Sequence, residues 1–151
     1  MRPGSSGRLA DRAILYLDQS RKDLQESRQL LRQEDYLNSA FHAVQAGVNG
    51  LTSICLGAGM AQLPGASPGR LFLLCVEIDP QYQALHEICD LMEQVTGVDP
   101  FQQQGGDLIN RTTSTRLIDG AGQVVVMAQA ALGVQSRWKA LGRLIRGKGS
   151  P

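Results

Sequence analysis

Arg111 and Arg116 stand five residues apart around a run of hydroxyls, Thr112, Thr113, Ser114 and Thr115. Guanidinium groups grip phosphate oxygens in pairs and hydroxyls donate to them, so this spacing suits anion binding. The same run also suits a capping segment, because Ser and Thr oxygens satisfy the free amides that open a helix. A second basic stretch closes the chain: Arg137, Lys139, Arg143, Arg146 and Lys148, with Trp138 among them and no acid after Asp119. Phosphate pairing and base stacking use such residues, and so does the end of a helix, whose dipole favours cations. His42 and His86 are the two side chains suited to moving a proton near neutral pH. Neither has a glutamate three residues before it, as a carboxylate-bridged di-metal bundle requires. Glycine-rich phosphate loops, HExxH, GxSxG and calcium-loop patterns are all missing from the sequence. The expectation is therefore a chain without metal or cofactor.

The element that must position these groups runs from Asp35 to Cys55, DYLNSAFHAVQAGVNGLTSIC. Leu37, Phe41, Val44, Val48, Leu51 and Cys55 step by four and three, the seam of a helix packed lengthwise on a partner. One position back runs a seam of mostly small residues: Tyr36, Ala40, Ala43, Gly47, Gly50 and Ile54. Two adjoining seams predict a helix with two neighbours in the middle of a bundle. The remaining face holds Asn38, His42, Gln45, Asn49 and Thr52 and carries no charge. Solvated faces normally carry Lys and Glu, so this row predicts partial burial against a partner, a groove or a second subunit. A homodimer interface through Asn38, His42, Gln45 and Asn49 is the simplest expectation.

Around that helix the chain reads as helices joined by two loops. From Arg8 to Glu34, Ala10, Leu17, Leu24 and Leu31 recur every seven residues, flanked by Ala13, Ile14 and Leu30. Asp18, Arg21, Lys22, Asp23, Glu26, Arg28 and Arg32 read as its solvated faces. The connection Gln33-Glu34-Asp35 is short enough to make the first two helices antiparallel neighbours. Gly57 to Gly69, rich in Gly and Pro, predicts a loop. The apolar run 71–78 predicts a short helix, and Asp79-Pro80 starts the next. There Tyr82, Leu85, Ile88, Cys89, Met92 and Val95 form a stripe ending near Thr96. Gly97 to Gly106 predicts a second loop, and DLINRTTSTRLID a polar segment over 107–119. The last helix is expected from about Gly120 to Ile145, with Val124, Val125, Met127, Ala128, Ala131, Leu132, Val134, Leu141, Leu144 and Ile145 as its core candidates. Residues 1–7 and 147–151 read as flexible tails around a single domain at 8–146.

Composition agrees with that reading. Hydrophobic residues make up 42% and aromatic residues only 5%, which favours helices over a sandwich or barrel. The net charge of +1 supplies no overall field to recruit nucleic acid or an anionic membrane, so any such binding must be local. No apolar run approaches the length of a membrane span. Cys55, Cys75 and Cys89 lie far apart within apolar patterns, as expected of buried thiols in a reducing cytoplasm.

The two opening helices, with Leu24, Ala40, Phe41, His42, Ala43, Gln45 and Ala46 in place, resemble the N-terminal half of the HEPN family. The segment before the last helix resembles that family too, through Asn110, Arg111, Thr115, Arg116 and Asp119. The resemblance implies an all-α, up-and-down bundle of four main helices with an extra short helix before the third. It implies nucleotide or RNA association through Asn110, Arg111, Thr115, Arg116 and His42, commonly as a dimer, with a nucleotidyltransferase-type protein as a possible partner. Family RNases follow their arginine with a histidine four to six residues later, and here Arg116 fills that place. Arginine stays protonated and cannot act as the general base, which favours a non-catalytic binding module. The alternatives are an RNase or toxin with a degenerate site and a plain protein-interaction bundle.

Overall fold

In a computed structural model the chain is all-helical; it describes residues 5–148 apart from 62, 64 and 98–107, with side chains described within 7–133. Among the described residues the main helices are, in order, α1 (Ser5–Arg32), α2 (Tyr36–Gly57), α3 (Pro68–Ile78), α4 (His86–Thr96) and α5 (Arg111–Lys148). A 3₁₀ turn over Pro80–Leu85 joins α3 to α4. No strand occurs among the described residues, and no described helix is long and apolar enough to cross a membrane.

The turn between α1 and α2 is a Schellman closure. The Glu34 amide donates to the Leu31 carbonyl and the Asp35 amide to the Leu30 carbonyl, each at 3.0 Å. Glu34 occupies the left-handed position of that motif at φ 62°, where glycine is the usual residue. Asp35 then caps α2 by accepting from the Asn38 amide at 3.2 Å. The result is the antiparallel pair that the short connection predicts, with α1 residue 20 beside α2 residue 46 and residue 27 beside residue 39.

Helix α2 is central, meeting α1, α3, α4 and α5. Its small seam is the more deeply buried one: Ala40, Ala43, Gly47, Gly50 and Ile54 are all inside, whereas Leu37, Phe41 and Val48 are only half-buried. The glycines admit large neighbours. Met92 of α4 occupies the space a Gly47 side chain would fill, and Val124 of α5 lies 2.7 Å from where a Gly50 Cβ would stand. Tyr82, Leu85, Ile88, Cys89, Met92 and Val95 are all buried, as their stripe predicts.

Several boundaries differ from the sequence reading. Helix α1 begins at Ser5, inside the expected tail, and Ile14 faces solvent rather than the core. Helix α3 begins at Pro68, because Ser67 caps it by accepting from the Arg70 amide at 3.3 Å and proline suits the first helical position. Helix α5 begins at Arg111, nine residues before the expected start. Leu117, Ile118, Ala121, Val124, Val125, Ala128 and Leu132 make one buried stripe, so packing overrides the weak helix preference of the Thr run. Positions 147 and 148, expected as tail, continue α5. The expected loop at 97–106 and the side chains of the basic end, Trp138 included, lie almost wholly outside the described residues.

Candidate functional site

Asn110 accepts from the Thr113 amide at 2.9 Å and so caps α5, satisfying one of the donors that a helix start leaves open. That cap sets the first turn beside the α1–α2 connection. Arg111, the first helical residue, donates from Nε to the Tyr36 hydroxyl at 3.1 Å and from Nη2 to Glu34 Oε1 at 3.0 Å. Its guanidinium carbon also lies 5.7 Å from the centre of the Tyr36 ring, within cation–π range. The Tyr36 hydroxyl first, and the Glu34 carboxylate with it, hold the Arg111 pKa above its ordinary value, so the group is a cation at every accessible pH.

This corner is built but open. The side chains of Arg111 and Glu34 are 65% and 68% exposed, so their ion pair sits in water and holds only weakly. The α5 dipole places partial positive charge at the Arg111 and Thr112 amides. Glu34 keeps a left-handed backbone that glycine would adopt more easily, and its side chain is the one that reaches Arg111.

The hydroxyl run answers to the fold. Thr113 donates to the Leu108 carbonyl at 2.5 Å, Ser114 to the Tyr36 carbonyl at 2.9 Å, and Thr115 to the Arg111 carbonyl at 2.8 Å. Five helical residues separate Arg111 from Arg116, which sets their side chains about 140° apart around α5. Arg116 borders a cleft of about 220 Å³ whose lining also includes Glu87 and Asp119. Arg111 and Arg116 therefore do not form one cluster.

The polar row of α2 finds its partner inside the chain. Asp23 of α1, expected on a solvated face, is buried, and its carboxylate gathers three polar groups. Asn49 Nδ2 donates to it at 3.0 Å and Gln19 Nε2 at 3.3 Å, and His42 Nδ1 lies 3.3 Å away. Asn38 turns to its own cap, donating from Nδ2 to Asp35 Oδ2 at 2.8 Å. Gln45 is exposed between them. Asn49 and Gln19 satisfy the carboxylate by hydrogen bonds rather than by a permanent countercharge. His42 and Arg111 share no partner, and the structure leaves them in separate neighbourhoods, one at Asp23 and one at Glu34.

Asp23, Glu34 and Tyr36 are the residues that the sequence reading missed. The signal for Asp23 is the uncharged row opposite it. The signal for Glu34 is a non-glycine residue in a three-residue helix connection. Among the described residues no group of three or more His, Cys, Asp or Glu side chains is placed to hold a metal ion. A cavity of about 580 Å³ lined by Arg12, Tyr16, Thr52, Leu56, Ala61, Leu63 and Gly65 lies at the other end of the α1–α2 pair. Thr52 stands about 24 Å along α2 from Tyr36, so this cavity takes no part in the Arg111 corner. Comparisons with protein-family models, with curated proteins and with solved structures gave no match for this chain.

Proposed function

We propose that this protein is a HEPN-like helical bundle, with four main helices running up and down, that binds nucleotide or RNA phosphate without cleaving it. The observation that supports this reading is the Arg111 corner: an exposed guanidinium oriented by Tyr36 at the start of a long helix. An incoming phosphate would take the place of the Glu34 carboxylate, gaining the guanidinium, the helix dipole and the nearby amides together. Tyr36 offers the ring edge and face against which a base can rest. Arg116 and Thr115 would meet only a longer strand, from the other side of α5. Dimerisation would use the exposed remainder of the α2 row, Asn38 and Gln45, and a nucleotidyltransferase-type protein stays the expected class of partner.

The test is a titration of a labelled short RNA and of a free nucleotide at low and moderate salt. Affinity should fall with salt as counterions are released. Arg111→Ala should weaken binding about tenfold, the scale of a lost charge-assisted hydrogen bond. Glu34→Gln should tighten it, because the competing carboxylate is gone. Arg116→Ala should change nucleotide binding little. No binding at low salt, or a Glu34→Gln variant that binds more weakly, would favour the plain protein-interaction bundle.

A further inference from the structure

Three cysteines that the sequence scatters over three helices are all buried in the core. Cys55 of α2 and Cys75 of α3 are both fully buried, and their sulfurs stand 3.7 Å apart. Cys75 Sγ also lies 3.9 Å from the Leu51 carbonyl, so its thiol proton can be shared between that oxygen and Cys55. Cys89 of α4 is buried too. No histidine or carboxylate completes a metal set among the described residues. Two thiols in van der Waals contact across a helix–helix interface, with the α2–α3 connection between them, have a specific chemistry open to them.

We propose that Cys55 and Cys75 are a redox modification site, forming a reversible disulfide that ties α2 to α3 when a peroxide reaches the core. The Cys75 thiol is the one placed as a donor, within reach of the Leu51 carbonyl and of Cys55, and with Cys75 as donor Cys55 is the attacking sulfur. The hydrogen bond from the Cys75 thiol lowers the Cys55 pKa, while that same bond and burial raise Cys75. The Cys55 thiolate displaces hydroxide from hydrogen peroxide and becomes a sulfenic acid; the hydroxide takes up the thiol proton as water. Cys75 sulfur then attacks the sulfenic sulfur, its proton leaves with the departing hydroxide as a second water, and the S–S bond forms. Two thiols and one peroxide give one disulfide and two waters, so the step is balanced. Cys89, whose thiol burial pushes up to about 12, stays protonated and is a bystander.

The experiment oxidises the intact protein with hydrogen peroxide, then denatures, alkylates and maps the cysteines by mass. The expected product is lighter by two hydrogens, carries a linked Cys55–Cys75 peptide with Cys89 alkylated, and regains its mass with a dithiol reductant. Its thermal midpoint should rise by several degrees, because the bond closes a loop in the unfolded chain. Cys89→Ala should give the same link. Cys75→Ser should give sulfenic or higher oxidation at Cys55 and no loss of hydrogens, with circular dichroism confirming its helices. If wild-type Cys55 and Cys75 remain free thiols after oxidation, oxidise separately, or link to Cys89, the proposal is wrong.

Discussion

Toward α1, the central helix is stitched by polar groups along its length; toward α3 and α4 it is dry, and toward α5 its polar contacts gather at Tyr36, which takes the Ser114 hydroxyl on its carbonyl and Arg111 on its own hydroxyl. On the first side Ser20 donates to the Ala46 carbonyl at 2.5 Å, and Ser27 and Ser39 exchange bonds with each other's carbonyls at 2.6 and 2.8 Å. The Asp23 carboxylate closes that side with His42, Asn49 and Gln19. On the other side Leu51, Ile54 and Cys55 meet Cys75, Met92 and Val124 with almost no polar contact. Every hydroxyl pairing on the α1 side fixes one register, because a slip along the helix would bury unsatisfied donors. The dry side fixes its register by shape instead, with Met92 seated at Gly47 and Val124 at Gly50. The difference explains why the α1–α2 hairpin can carry the Arg111 corner at its tip: its register is set independently of the rest of the core.

The contrast can be broken most severely on the dry side. Leu51→Ala removes a fully buried side chain and should cost about 2–5 kcal/mol in denaturant unfolding, because the packed neighbours cannot refill the space. On the polar side Asp23→Ala leaves three donors without their acceptor and should cost about 1.5–3 kcal/mol by the same assay. Asp23→Asn should recover part of that loss. If Asp23→Ala proved neutral, the polar side would be ornament and the register argument would fail.

Alkaline pH acts on the dry side through its buried thiols. Burial, with Asp90 and Glu93 adding to it, pushes the Cys89 thiol from 9.0 to about 12 in the folded chain. Between those values the unfolded chain has lost the proton and the folded chain has kept it, so stability falls as pH rises. The contribution is complete below pH 9 and lost through about pH 12. Cys89→Ala should therefore have a shallower alkaline decline than wild type, by at most about 1.4 kcal/mol per pH unit. Asn110→Ala comes last, costing about 1 kcal/mol through the lost α5 cap, with Asn110→Asp close to neutral.

Much of this architecture is legible in the residues. The two seams of α2 and the stripe from Tyr82 to Val95 follow from spacing alone, since burial of an apolar face dictates both. The start of α5 is not legible in the same way. Thr112 to Thr115 are poor helix formers and good loop residues, and only the stripe that begins at Leu117 and Ile118 pulls them into a helix. The α2 polar row is legible as an anomaly but not as a contact. Two of its members, His42 and Asn49, turn to Asp23, which reads as one acid among many on α1, while Asn38 and Gln45 stay exposed. Cys55 and Cys75 meet for the same kind of reason: their contact is a product of the α2–α3 crossing, which no local pattern encodes. The candidate site was half visible, with Arg111 singled out by its neighbours and Glu34 hidden in a turn.

The most direct test of the account follows the arginine side-chain Nε–H resonances and the backbone amides of the protein while a short RNA is titrated at low salt. Arg111 Nε–H should shift strongly as Glu34 is displaced, together with the amides of Thr112 and Tyr36, while Asn49, Gln19 and the amides around Asp23 stay in place. Shifts that cluster instead at His42, Asn49 and Gln19, or no shift at Arg111 at saturating RNA, would contradict the proposal that the corner between α5 and the α1–α2 turn holds the phosphate.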